Sequence, residues 1–178
     1  MREALRRLEA QGLVEIDAHR GARVTSQTDA HIEETYLIRI ALETLAARLA
    51  LQQITPADLR RLVHDVEALT AVLERNLAAG KTAAALRNNQ DIHMTVYRAS
   101  KRPRLVEMIE NLWATYPFGT PAWSPERCEA IAQRHRRYLD VLRLGDPEKL
   151  AQETEAHISE ARTERLSAAS AALVPALV

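Results

Sequence analysis

From Asp29 onward, apolar residues recur every three or four positions, the period of an α-helix with one buried stripe. Ile32, Tyr36, Leu37, Ile40, Ala41, Thr44 and Leu45 predict a first such helix, capped at Asp29 and ending near Gln53. Thr55-Pro56-Ala57-Asp58 then supplies a Thr cap, Pro at the first helical position and an acid in the first turn. The helix it starts runs to about Ala79, before Gly80. Two more follow, from near Thr82 to Ser100 and from Pro103 to near Trp113. Ser124-Pro125-Glu126 and Asp146-Pro147-Glu148 repeat the cap–Pro–acid start, and their helices end at Leu144 and near Ser167. Residues 116–123, with Pro117, Gly119 and Pro121, read as a loop.

Upstream of Asp29 the pattern changes. Residues 1–11 carry Ala4, Leu5, Leu8 and Ala10 among charges, a short helix that stops at Gly12. Leu13, Val14 and Ile16, with Val24 further on, flank the polar stretch 17–21 and predict a two-stranded hairpin. Residues 25–29 form a polar linker. The fold class expected is all-α: an antiparallel bundle of about six helices behind a helix–hairpin piece. Three parts result, with residues 1–28 too small to bury a core alone, 29–167 forming the bundle, and 168–178 an Ala-rich tail.

Composition narrows the class. The chain has 178 residues, 47% of them apolar, enough for one sizeable core. Only 5 Gly and 7 Pro argue against a many-stranded sheet, and five scattered glycines form no phosphate loop. Cys128 is the sole cysteine, which excludes a disulfide framework and a Cys-based zinc knuckle. Lys plus Arg number 24 and so do Asp plus Glu, so the chain is not a generally basic nucleic-acid coat. Residues 1–28 hold 5 basic and 4 acidic side chains, a net of +1. No apolar run approaches a membrane span of roughly 18 residues, and the N-terminus is not a signal peptide. These features point to a cytoplasmic protein with no membrane partner.

The candidate chemistry lies in three histidines. His135 stands 11 positions before Asp146 and His157 stands 11 after it. In a helical hairpin turning at residues 145–147 they lie at one level, roughly 16 Å from the turn. Both belong to apolar stripes: Ile131, His135, Tyr138 and Leu142 on one helix, Leu150, Thr154, His157 and Ala161 on the next. His93 sits on a third inward face with Leu86, Asn89 or Gln90, Val96 or Tyr97, and Ser100. Asn89, one turn before His93, can point at the same spot. A single histidine of this kind is ordinarily a hydrogen-bonded core residue. Three on converging faces suit a divalent cation such as zinc or nickel, because bundles build metal sites from facing helices. His31 and His64 read as surface residues.

The segment MREALRRLEAQGLVEIDAHRGARV resembles the recognition helix and wing of the winged helix-turn-helix in GntR-type transcription regulators. ETYLIRIALETLAARLA, NNQDIHMTVYRASKRPRL and the RH…GDPEK…H segment resemble the helices of the FCD effector-binding domain in the FadR branch of that family. The resemblance spans essentially the whole chain. It implies a ligand-responsive, DNA-binding repressor or activator, usually a homodimer and not an enzyme. It also implies a bundle cavity in which an Asp or Asn and three His hold a divalent metal, completed by a small carboxylate effector. By motif those ligands are Asn89, His93, His135 and His157. Arg39 matches an arginine that often lines the pocket; read from the residues alone, it is equally a surface i,i+4 pair with Glu43. Arg2 matches a DNA-contacting arginine, with Arg6 and Arg7 on the same helix, and His19, Arg20 and Gly21 form the wing tip; read from the residues alone, the three arginines solvate a helix, and DNA contact is expected of a chain with the complete winged helix. In the family two further helices precede the recognition helix, and DNA binding is expected to need them. This chain departs from the pattern at Asn89, where Asp is frequent, at Arg134, where an acid is usual, and at Ile92, where an aromatic is common.

Two other functions fit the same residues. Three histidines with an open coordination position also describe a metal-dependent hydrolase, although no Asp or Glu has a clear claim as its general base. A metal-free ligand-binding or dimerisation module would instead pack the histidines as core.

Overall fold

The structure is a computed structural model that describes residues 3–6, 14–17, 21–24, 28–115 and 124–172. Residues 3–6 are helical. Two antiparallel strands follow, β1 (Val14–Asp17) and β2 (Gly21–Val24), with Val14 opposite Val24 and Ile16 opposite Ala22. The expected hairpin is therefore present. Its tip residues 18–20, the linker 25–27 and the expected loop 116–123 lie outside the described residues.

Six long helices make up the rest: α1 (Asp29–Gln52), α2 (Pro56–Ala78), α3 (Thr82–Ala99), α4 (Pro103–Thr115), α5 (Pro125–Leu144) and α6 (Pro147–Ala172). The predicted starts operate as read. Thr55 and Ser124 accept the backbone N–H groups of Asp58 and Arg127, each with Pro at the first helical position. Asp146 accepts from the backbone of Glu148 and Lys149 at the start of α6. At α1 the cap is Thr28, not Asp29. Thr28 accepts from His31 N at 3.2 Å, while Asp29 adds negative charge to the first turn. α6 continues to Ala172, beyond the expected end near Ser167, through four alanines, the strongest helix former, and Ser170.

Gly145 makes the α5–α6 turn possible. It closes α5 at φ +66°, and a Cβ there would stand 2.7 Å from Leu59 Cδ2. α1 packs on α6, α3 and α4, α2 packs on α3 and α5, and α5 packs on α6. Leu73, Val66, Ile92, Val96, Tyr97, Ile109, Tyr138, Leu142 and Leu150 fill the main core. Ile32, Tyr36 and Ile158 form a smaller cluster that ties α1 to α6.

The buried stripe of α1 differs from the expected one. Ile32, Tyr36, Arg39, Glu43, Ala46, Ala47 and Ala50 face inward. Leu37, Ala41 and Leu45, expected inside, face out. Apolar residues encircle this helix, so periodicity alone leaves its rotation open. Two charged residues then occupy the inner face because they neutralise one another. Among the described residues, no helix is long and apolar enough to cross a membrane.

Candidate metal and effector site

The helical hairpin places His135 and His157 side by side, with ring centroids 4.8 Å apart. α3 brings His93 against both, its centroid 4.7 Å from His157 and 5.4 Å from His135. All three are buried, and one ring nitrogen from each lies within 4.8 Å of the others. His93 Nε2 and His157 Nε2 are 3.2 Å apart. Two nitrogens bound to one tetrahedral zinc at ordinary bond lengths stand about 3.3 Å apart. The pair thus already has the spacing of two ligands.

Protonation states agree with ligation. Burial holds His93 and His157 well below the ordinary imidazole value, helped at His93 by His135 and Arg39, and at His157 by the other two histidines, Arg134 and Arg39. Burial likewise lowers His135 to about 4, against the opposing pull of the Ile131 carbonyl and with help from Arg134. Neutral imidazoles keep the lone pair that a cation requires. The Ile131 carbonyl sits 2.8 Å from His135 Nδ1 and can only accept, so Nδ1 carries the proton and Nε2 the lone pair. This backing by a main-chain carbonyl is a recurrent feature of histidine ligands. His135 Nε2, His93 Nδ1 and His157 Nδ1 are buried with no hydrogen-bond partner among the described residues. A metal-free core would leave the first as an unanswered acceptor. The donor set therefore fits a divalent cation of the imidazole-binding group. Asn89 is half-buried one turn before His93 and makes no side-chain hydrogen bond to the described residues.

A second polar cluster abuts the first. Arg39 is buried, and its Nε donates to Glu43 Oε1 at 2.7 Å. Trp113 Nε1 donates to the same oxygen at 3.0 Å, and Tyr97 OH donates to Glu43 Oε2 at 2.8 Å. Burial works against the Arg39 charge, but the Glu43 carboxylate outweighs it, so Arg39 stays firmly protonated. Its guanidinium carbon lies 4.7 Å from the Trp113 ring and 5.1 Å from that of Tyr36. With Nε committed to Glu43, the terminal nitrogens of Arg39 keep their donors for another acceptor. Of its two readings, the surface ion pair is corrected: the pair exists, but in the interior.

Two features of this region, the roles of Glu43 and Arg134, escaped the pattern of the sequence. Glu43 is the shared acceptor that organises Arg39, Tyr97 and Trp113. Tyr138, on the inward stripe as expected, places its ring 5.2 Å from His93 and buries its hydroxyl beside Thr154. Arg134 is buried beside His135 and reaches Glu164 at 2.8 Å and Glu160 at 3.8 Å. An arginine followed by two more, Arg136 and Arg137, gives no signal that only the first turns inward. His31 and His64 are exposed, as expected. Of the DNA-contact candidates, Arg6 is exposed on the short helical turn and Gly21 opens β2 at φ +83°, opposite Asp17. Arg2, His19 and Arg20 lie outside the described residues, as does Arg7.

Comparison with known proteins places this arrangement. The FCD domain model matches residues 34–160, well over half of the chain. The chain is 31% identical to the HTH-type transcriptional regulator McbR of Escherichia coli K12, over 83% of this chain and 67% of that protein. It is 27% identical to the HTH-type transcriptional regulator YdhC of Bacillus subtilis, over 89% of this chain and 70% of that protein. The solved structure of E. coli McbR/YncC superposes with a TM-score of 0.76 at 25% identity, covering 94% of this chain and 83% of that one. A putative GntR regulator from Rhodococcus sp. RHA1 shares the fold, with a TM-score of 0.73 at 20% identity over 93% and 78%. The chain belongs to the FCD-domain family of GntR-type transcription regulators. Its bundle is accordingly an effector-binding domain, and its relatives regulate transcription and are not enzymes, so the hydrolase alternative finds no support.

Proposed function

We propose that this protein is a metal- and metabolite-sensing regulator that acts on operator DNA as a homodimer. The observation that carries the reading is the meeting of three buried, neutral imidazoles from α3, α5 and α6 beside a buried arginine with donors to spare. His93, His135 and His157 would hold a divalent cation, zinc or nickel by donor type, with the Asn89 carboxamide as an oxygen donor. When bound, such an ion offers a Lewis-acidic position to an oxygen of the effector. Arg39 supplies a complementary cation, which selects a small carboxylate over a neutral analogue. Glu43, held by Tyr97 and Trp113, keeps the Arg39 fork from swinging away.

In this reading residues 29–167 sense the ligand and residues 1–28 belong to the DNA-binding head, with Arg2, Arg6, His19, Arg20 and Gly21 as its contacts. α1 links them, since it carries Arg39 and begins at the linker. A ligand that binds two arrangements of α1 unequally shifts their populations and thereby the heads. The test is a thermal-shift screen of metal-loaded chain with small mono-, di- and hydroxycarboxylates. A true effector at about 100 times its Kd adds about 2.7 kcal/mol of stability. The Arg39→Met variant must lose that gain while keeping the metal. Equal stabilisation of wild type and Arg39→Met by every acid would remove Arg39 from the effector site.

A further inference from the structure

α1 is apolar on two opposite faces. Its inner face is packed into the bundle, while Leu37, Ile38, Ala41 and Leu45 project outward, the three large side chains 58%, 42% and 40% exposed. Among the described residues, the other large exposed apolar side chains, Ile16, Met108 and Leu144, stand singly on separate elements. A helix apolar all round is normally covered on all sides, and a contiguous exposed stripe marks an interaction surface.

The order of residues along this stripe identifies its occupant. Ala41 is the middle. Leu37 and Leu45 stand four positions to either side, and Glu34 and Arg48 seven positions to either side. All fall on the outward face at 3.6 residues per turn. A twofold axis through Ala41 would set two antiparallel copies of α1 against each other. Each Leu37 then meets the second copy's Leu45, and each Glu34 meets the second copy's Arg48. The small Ala41 at the crossing lets the backbones approach. Glu34 makes no ion pair with the described residues of its own chain, whereas Arg48 is paired with Glu148 at the edge of this face. Self-complementary charge and shape about one residue are what an isologous contact requires.

We infer that the outward face of α1 is the dimer interface, two copies of α1 crossing antiparallel at Ala41. This rests on the homodimer proposed above and assigns its surface. It also puts Arg39, on the opposite side of the same helix, one helix diameter from the partner subunit, so ligand and partner would bear on a single element.

The test uses the full chain in a Cys128→Ser background. Light scattering of this parent should give twice the 20.0 kDa chain mass, and Leu37→Glu/Leu45→Glu should return it to one chain with unchanged helix content by circular dichroism. Under mild oxidation Ala41→Cys should cross-link to a covalent dimer, because positions on the axis can reach the Cα separation of about 4.4–6.8 Å that a disulfide needs. Leu37→Cys alone should not, since its two copies are offset by eight residues, about 12 Å along the helix. It should cross-link when mixed with Leu45→Cys. A parent that stays monomeric at tens of micromolar overturns the homodimer and this interface together. A dimeric parent in which Ala41→Cys fails to link, or Leu37→Cys links with itself as readily, overturns the interface and leaves the homodimer standing.

Discussion

Replacing Glu43 by Gln tests the buried polar cluster with the least change of shape. Glu43 is 1% exposed and accepts from Arg39, Trp113 and Tyr97 at 2.7, 3.0 and 2.8 Å. Gln keeps the volume but removes the charge and turns one acceptor into a donor. Either Tyr97 or the Arg39–Trp113 pair then faces an N–H, and Arg39, 6% exposed, remains a cation with no counter-ion on its helix. Removing one partner of a buried ion pair costs about 3–5 kcal/mol, a large share of the 5–15 kcal/mol typical of a folded domain. At about 2–4 °C per kcal/mol for a protein of this size, the melting temperature should fall by roughly 6–20 °C. Urea unfolding followed by circular dichroism reads the same loss. The exposed pair Arg143–Glu67, 43% and 57% exposed at 2.9 Å, is the control. Glu67→Gln should change stability by less than about 0.5 kcal/mol. Adding Arg39→Met to Glu43→Gln should recover at least about 1 kcal/mol, because the uncompensated charge goes with it. A loss below about 1 kcal/mol in Glu43→Gln would mean that water already solvates the pair and that Glu43 is not the buried counter-ion.

Other expectations follow from single residues. Tyr97→Phe strips Glu43 Oε2 of its donor and should cost about 1–3 kcal/mol in urea unfolding. Gly145→Ala should destabilise by at least about 1 kcal/mol, because the left-handed backbone and the 2.7 Å approach to Leu59 both oppose a Cβ. Lys101 adopts φ +55° between α3 and α4, so Lys101→Gly should raise stability by up to about 1 kcal/mol in the same assay. For chain stripped of metal, stability should fall with pH. His135 titrates at about 4 when folded and near 6.5 when unfolded, so the unfolded chain takes up the proton first as pH drops. Stability is full above pH 6.5 and is lost on the way to pH 4, by about 2 kcal/mol at pH 5 from this residue alone. Equal urea midpoints at pH 7.5 and pH 5 would contradict it.

Much of the fold was legible where local chemistry is self-sufficient. Thr55-Pro56 and Ser124-Pro125 begin helices because cap, ring and backbone donors lie within four residues of one another. The matched heights of His135 and His157 also follow from counting, since a tight helical hairpin converts sequence distance into level. The rotation of α1 was not legible. Periodicity assigns a buried face only when one side is polar, and here Leu37, Ala41 and Leu45 balance Ile32, Tyr36 and Ala46. Arg39 and Glu43 look like a surface pair in sequence because their burial depends on Tyr97 and Trp113, 54 and 70 residues away. Arg134 poses the same problem, since its acidic partners lie on the next helix. Long-range satisfaction of charge separates a buried arginine from a solvated one, and periodicity carries no record of it.

Elemental analysis of purified, untagged chain decides whether the three histidines hold a metal. Wild type exposed to zinc or nickel and then desalted should retain close to one ion per chain. His93→Ala/His157→Ala should retain almost none while keeping its helical spectrum. Metal absent from both proteins, or bound equally by both, would return the three histidines to the core.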